Sequence, residues 1–349
     1  MLKSCSLLIL AALLAYLLPS CGDSAPTPPT TSKTEFKIGL IVMGSTSDGG
    51  WNQAARQALA KLETQPPAQG AIKVSVREKV DQSKASGEMR DYAANGYDLV
   101  IGHGFEYAVP AIEVAKGQAK TKFVVSGYPK SEPDIMTLDF DLAPACYQLG
   151  ILAAGVSKTG KIGFIGGSAI PSLVACYKGF AAGAKSANPN IIVVKAYTRW
   201  DRPELSKSQT ETFIQQNVDV IFQNVDAASR GVFEAVSEAN AAADRGDRPT
   251  VYVFGSNSNQ NDNIICPEYT LASAVIHLDD AFGNVIKAIQ DGKFTPGVVS
   301  ETLSNGICTT EINPKLVTSG VISKETLAKT TEAGKKLASG QLKIPTSQN

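Results

Sequence analysis

Residues 36–52 read FKIGLIVMGSTSDGGWN, and this stretch decides the fold. Its first eight residues are a nearly unbroken apolar run, with the length and β-branched content of a buried strand. Residues 44–50 are Gly, Ser, Thr and Asp, a polar loop with no periodicity. From Trp51 the pattern changes, and Ala55, Leu59 and Leu62 recur along one side of a helix running to Glu63. A buried strand, a Gly-rich loop and an amphipathic helix make the first unit of a parallel α/β sheet.

The alternation continues outward. Strands are expected at 72–77, 98–101, 122–126 and 136–140, with helices at 83–95 and 107–117. A long helix at 143–158 opens a second series. Its strands fall at 161–165, 191–197, 219–223 and 250–254, with helices at 173–187, 203–216 and 227–240. A strand at 271–276, a helix at 279–290 and a strand at 296–303 close it. Two such series predict an α/β protein of two doubly wound parallel-sheet lobes joined by a hinge. The expected N-terminal lobe is 36–142 plus about 256–292, and the C-terminal lobe is 143–255 plus about 293–320, with a tail at 321–349.

Composition narrows the function. The chain has 349 residues, 33 Lys and Arg against 33 Asp and Glu, and two His. That length suits two domains. A balanced charge argues against a nucleic-acid polymer as partner, because neutralising phosphates takes a surplus of cations. Two imidazoles are too few for a His-rich catalytic metal site, and no metal or cofactor is expected. No Gly-x-Gly-x-x-Gly follows the first strand, and neither a Gly-x-Ser-x-Gly elbow nor a His-Glu-x-x-His motif occurs. His103, between Gly102 and Gly104, is the residue best placed to act as a base in a cleft. The expectation is a binding protein and not an enzyme.

The chain begins as an export signal. Met1 and Lys3 form a short positive start, and residues 7–18 are an unbroken run of 12 apolar residues. A membrane-spanning helix needs about 20, so this run fits a secretory segment. It ends in Leu18-Pro19-Ser20-Cys21-Gly22, which resembles a bacterial lipobox with Cys21 as the lipidated first residue of the mature protein. An ordinary cleaved signal with an incidental cysteine is the alternative. Residues 22–35 are mostly Pro, Ser and Thr and read as a tether. The expected location is the extracytoplasmic side of a cell membrane, in the periplasm or at the cell surface. Cys146, Cys176, Cys266 and Cys308 remain in the folded part. They allow three pairings, of which Cys146–Cys176 with Cys266–Cys308 joins nearest neighbours. Buried free thiols are the other reading.

Ligands of doubly wound sheets bind beyond the carboxyl ends of the strands. The loops there are 44–52, 102–107 and 126–129 in the first series, and 166–171, 198–203, 224–229 and 255–262 in the second. They hold both Trp residues and a dense set of Asp, Asn and Gly. Aromatic walls with amide and carboxylate rims suit small polar ring compounds.

Four segments carry a resemblance to a known family. They are Ser47-Asp48-Gly49-Gly50-Trp51-Asn52-Gln53, Gly96-Tyr97-Asp98-Leu99-Val100-Ile101-Gly102 with Gly104-Phe105, Lys158-Thr159-Gly160-Lys161-Ile162-Gly163-Phe164-Ile165-Gly166-Gly167, and Asn217-Val218-Asp219-Val220-Ile221-Phe222-Gln223. In this order the chain, roughly from Phe36 to Leu303, resembles the basic membrane lipoprotein (BMP) family of ABC-importer solute-binding proteins. The resemblance implies the two-lobed type I periplasmic binding protein fold, three hinge crossovers, and a purine nucleoside or nucleobase as ligand. It also implies an ABC permease as partner of a monomeric carrier.

The resemblance assigns roles by position. Trp51 would stack on the ligand, or else cap the first helix as packing. Asp48 and Asn52 would hydrogen-bond the ligand, and an N-capping role is compatible with that. Phe105 and Glu106 follow the third strand. Trp200 would supply a facing aromatic from the second lobe, with Asp201 beside it or capping the next helix. Asn224 and Asp226 lie in the last loop of that lobe. Where the family has Gly-x-Asp-x-Asp-Gln, this chain has Gly255-Ser256-Asn257-Ser258-Asn259-Gln260, so Asn257 stands where an acid would read ribose hydroxyls. His277 lies near a family basic position. These departures leave room for a lipid-anchored sensor or surface-interaction protein with the same fold and no transport role.

Overall fold

The computed structural model describes residues 35–64, 70–242 and 248–344. The signal segment, Cys21 and nearly all of the tether lie outside these residues. Among the described residues no helix is long and apolar enough to cross a membrane.

The first lobe is built on strands β1 (Glu35–Val42), β2 (Ala71–Arg77), β3 (Leu99–His103), β4 (Lys122–Ser126) and β5 (Met136–Phe140). Between them run α1 (Trp51–Glu63), α2 (Gln82–Ala94) and α3 (Ala108–Ala115). The second lobe has β6 (Lys161–Gly166), β7 (Ile192–Tyr197), β8 (Val220–Asn224), β9 (Tyr252–Asn257) and β10 (Thr270–Ile276). Its helices include α4 (Ala143–Val156), α5 (Pro171–Ala187), α6 (Pro203–Gln215) and α7 (Ser229–Ala241). The chain ends with α8 (Leu278–Gln290), β11 (Gly297–Glu301), β12 (Cys308–Ile312), α9 (Pro314–Thr318) and α10 (Lys324–Ala338).

Two six-stranded sheets result, ordered β11-β5-β4-β3-β1-β2 and β12-β10-β9-β8-β6-β7. All pairs are parallel except β10 with β12. The central strands β3 and β8 are buried throughout, as continuous apolar runs covered on both faces must be. In each sheet the order turns back on itself at one strand, β1 in the first and β6 in the second. The loops leaving those strands and their neighbours therefore splay apart and open a crevice.

The division of the chain differs from the expected one beyond residue 256. β10 stays in the second lobe, paired in parallel with β9. α8 then crosses to the first lobe and packs on α1. β11, expected in the second lobe, pairs with β5 of the first. A third crossing returns the chain to β12, an antiparallel edge strand missing from the expected series. Strand and helix periodicity reports which residues are buried and not which sheet buries them, so these crossings leave no local signal. Residues 324–338, expected as a tail, form α10 against α4. Ser323 caps it by accepting from the Thr326 N–H at 3.1 Å.

Of the two readings of the cysteines, the structure has the free thiols and not the disulfide pairing. Cys146, Cys176, Cys266 and Cys308 are all buried free thiols. Cys266 and Cys308 lie in separate parts of the core. Cys146 on α4 and Cys176 on α5 face each other as thiols in one core. Burial pushes the Cys266 thiol up to about 12 and also raises those of Cys146 and Cys308. Thiols so held behave as small apolar packing groups.

α4 is buried on nearly every side and is the spine of the second lobe. α5 crosses it at backbone contact. A Cβ on Gly183 would lie 1.9 Å from the Tyr147 carbonyl oxygen, and one on Gly150 would lie 2.0 Å from that of Phe180. Gly183→Ala is therefore expected to destabilise the chain by about 1–3 kcal/mol in urea unfolding, as overpacked cores do. Gly87, exposed in α2 with open space around it, is the control. Gly87→Ala should stabilise by about 0.5–1 kcal/mol, because alanine loses less backbone freedom in a helix.

Candidate ligand-binding cleft

The cleft is organised by the first turn of α1. A helix begins with N–H groups that have no partner within the helix. Asp48, just upstream, accepts from the N–H of Gly50 (2.9 Å) and Gln53 (3.0 Å) on one oxygen. Its other oxygen accepts from the Asn52 backbone (3.1 Å) and side-chain amide (2.7 Å). A carboxylate has about four acceptor sites, so this one is filled by capping. The structure thus places Asp48 and Asn52 in a mutual cap at the cleft edge.

The remaining N–H, that of Trp51, is donated to Asp226 Oδ1 of the other lobe at 3.2 Å. Asp226 sits after β8 in a left-handed conformation with φ of 46°. The same oxygen accepts from Asn257 Nδ2 at 3.0 Å. Asn257 ends β9 and is also left-handed, with φ of 64°. This gives the amide at 257 a physical reason. An acid there would set two carboxylates against each other, whereas the amide donates.

Burial raises the Asp226 carboxyl to about 7, and the charge of Asp48 pushes the same way. The Trp51 N–H and Asn257 amide act against this, and Glu106 adds a smaller upward push. Burial likewise raises Glu106 above the usual carboxylate range. The lobes approach so closely that a Cβ on Gly50 would lie 2.5 Å from the Asp226 Cα. Gln260 makes a second crossing, donating from Nε2 to the Gly49 carbonyl at 2.9 Å. Its Oε1 accepts from the Gln223 amide (2.8 Å) and the Ser256 N–H (3.0 Å), which fixes the side chain.

The Trp51 indole is held by His103, which ends β3. The two rings stack with centroids 3.9 Å apart at 18°. Phe140 meets the indole edge-on at 5.9 Å. His103 Nε2 lies 3.0 Å from the Trp51 carbonyl, and Nδ1 lies 2.6 Å from Ser126 Oγ. A carbonyl only accepts, so Nε2 carries the proton and the Ser126 hydroxyl donates to Nδ1. Both nitrogens are satisfied in the neutral form. Burial lowers the imidazole to about 3. His103, read from the sequence as the best-placed base, is instead a support for Trp51, buried and without a free lone pair.

The other expected positions divide. Trp200, following β7, lies on the backbone of Gly167, where a Cβ would come within 2.2 Å of its Cε3. Its carbonyl accepts from Ala228 N–H at 3.0 Å, which ties it to the Asp226 loop. Asn224 is buried at the end of β8, and its carbonyl accepts from Gly167 N–H. Asp201 is exposed and pairs with Arg199. Phe105 is 52% exposed. Asp48, Trp51, Asn52, Glu106, Asp226 and Asn257 are thus brought together where the lobes meet. Gln223, Gln260, Gly50 and Ser126 complete that region and were not singled out from the sequence. Their only local signal is position at the carboxyl end of a strand or in the loop after it.

The protonation state of His103 can be read by NMR. In nitrogen-resolved NMR its imidazole should stay neutral, with the proton on Nε2, from pH 5 to pH 8. The unfolded chain returns the ring to an ordinary pKa of about 6.5 and takes up the proton first on acidification. This group therefore contributes stability above about 6.5 that is lost, by about 1.4 kcal/mol per pH unit, as the pH falls toward 3.

Residues 36–348 match the family model of PnrA-like ABC transporter substrate-binding proteins. The ABC transporter nucleoside-binding protein BmpA of Lactococcus lactis is 25% identical over 285 residues, 78% of this chain and 81% of that one. A purine-binding protein of Brucella abortus is 26% identical over 264 residues, 75% of this chain and 71% of that one. The crystal structure of an ABC solute-binding protein from Aeropyrum pernix covers 90% of this chain and 94% of its own, with a TM-score of 0.77 at 22% identity, a likeness of fold. With a match that spans both lobes, the chain belongs to the Bmp family of ABC transporter substrate-binding proteins.

Proposed function

We propose that this protein captures an uncharged purine nucleoside or nucleobase between its lobes and presents it to an ABC permease on the extracytoplasmic side, held there by lipid on Cys21. The observation that carries the reading is the Trp51 indole, fixed at the cleft by a buried neutral His103 on one face. A flat ligand ring would lie on the face that His103 leaves free, with large contact area and little entropy to lose. Asn257, Glu106 and Trp200 would meet its polar edge and far side. Two relatives whose names specify nucleoside or purine binding support this class.

The absence of charge on the ligand follows from the helix start. Helix N-termini attract phosphate because their N–H groups are unpaired. Here the Trp51, Asn52 and Gln53 N–H groups are already taken by Asp226 and Asp48. A phosphate would also meet the carboxylates of Asp48, Glu106 and Asp226. Nucleosides and bases fit this cleft better than nucleotides.

Thermal unfolding in the presence of nucleosides, free bases, nucleotides and simple sugars tests the reading. A ligand at a hundredfold excess over its dissociation constant adds about 2.7 kcal/mol of stability. Nucleosides or bases should raise the midpoint and nucleotides should not. Trp51→Ala should weaken binding by about tenfold, equal to the ~1.5 kcal/mol of a good ring stack. A shift with sugars alone would overturn the ligand class. A shift with nothing in the panel would favour the sensor reading. Incorporation of radiolabelled palmitate into the wild type but not into Cys21→Ser would establish the anchor.

A further inference from the structure

The contacts across the cleft are direct bonds between the lobes. Asp226 takes the Trp51 N–H, Gln260 donates to the Gly49 carbonyl, and Gly50 has no side chain to hold the backbones apart. We propose that the two lobes clasp each other through Asp226 and Gln260 gripping the first turn of α1, so that the closed state is open to the protein with no ligand in the cleft. This goes beyond the proposed ligand class and does not depend on it.

The residues that make the clasp are built for it. Asp226 and Asn257 both occupy the left-handed region that non-glycine residues avoid, and each such residue costs about 1–3 kcal/mol. Their strain aims both side chains at one point, where Asp226 Oδ1 collects two N–H donors. The missing side chain of Gly50 lets the Asp226 backbone approach, since a Cβ there would lie 2.5 Å from the Asp226 Cα. Gln260 is fixed by two bonds within its own lobe before it reaches Gly49.

The clasp is also proton-sensitive. The groups facing Asp226 are Asp48 from the loop before α1, Glu106 from the loop after β3, the Trp51 N–H, and the Asn257 amide from its own lobe. Among the described residues no cation joins them, so closing buries a carboxyl beside two others. Closed, the Asp226 carboxyl stands at about 7. Open and in water, it would have the ordinary value of about 4. The closed state therefore binds the proton more tightly, and acid favours closure. Closure stabilised by that proton is lost as the pH rises through 7. From these two values the ratio of closed to open should fall about tenfold between pH 6 and pH 8.

Residue-resolved hydrogen exchange on the full-length protein in mild detergent, without ligand, reads this directly. The Trp51 amide has its partner on the opposite lobe, whereas the Asn52 and Gln53 amides have theirs on Asp48 in the same lobe. The latter two are internal controls for an intact α1. Expected is a Trp51 protection factor that falls about tenfold from pH 6 to pH 8 while the controls hold. Gly50→Ala should abolish Trp51 protection and spare the controls. Asp226→Asn keeps an acceptor but no titrating group, so protection should stay and its pH dependence vanish. Unprotected Trp51 at pH 6 beside protected controls would overturn the clasp. So would unchanged protection in Gly50→Ala. Protection equal at pH 6 and pH 8 in the wild type would overturn its proton dependence.

Discussion

The bond from the Trp51 N–H to Asp226 is the constraint on which the cleft depends. It joins the start of the first helix of one lobe to the loop after the central strand of the other. For it to form, Gly50 must lack a side chain, Asp226 must turn left-handed, and Asn257 must do the same to bring its amide within reach. Each condition is unfavourable alone. They persist because the strands behind them are anchored, β8 and β9 being paired in the sheet, with Asn257 ending β9 and Asp226 two residues beyond β8. A loop held only by its own contacts would relax out of such backbone states.

The same bond explains the division of labour between the two acids near α1. The first turn offers a set of N–H groups. Asp48 can reach only those on its own side, and it takes all it has acceptors for. The N–H it leaves is the one that points across the cleft. An acid reading the helix start from the same lobe is a cap, and an acid reading it from the opposite lobe is a fastener. From the sequence alone, Asp48 and Asp226 look like equivalent polar cleft residues. Geometry separates them.

Much of the fold was legible because strands and helices carry their own periodicity. The loop 44–50 and the switch strand before it could be recognised from a single stretch, and so could the positions of Trp51 and Asp226 beyond the carboxyl ends of strands. What was not legible shares one physical cause, which is partnership across sequence distance. The membership of β10 and β11 in their sheets depends on crossings at residues 277 and 302–307 that have no local pattern. The free thiols depend on which core each cysteine enters. His103 looked like a base because an imidazole between glycines is exposed in the mind's eye, yet both its nitrogens are taken by Trp51 and Ser126. The amide at 257 reads in the sequence only as a departure from the family's acid, because the carboxyl to which it donates, that of Asp226, lies 31 residues away.

The two titratable groups nearest Trp51 respond to acid in opposite senses, and this bears on how the cleft can be observed. Asp226 is raised in the fold, so on acidification from about pH 7 the folded chain takes up a proton that the unfolded chain does not. That stabilises the fold. His103 is lowered, so below about pH 6.5 the unfolded chain takes up a proton that the folded chain does not. That destabilises it. Over the range where both act, from about 6.5 to about 4, the two slopes oppose each other, and global unfolding conceals both. Lobe opening is different. The partners of His103 are Trp51 and Ser126, in its own lobe, and they stay with it when the lobes part. Asp226 loses the Trp51 N–H and its burial against the first lobe, and keeps only the Asn257 amide. Opening therefore exposes one proton site and unfolding exposes two, and only a measurement local to the first turn of α1 separates the motion of the cleft from the stability of the chain.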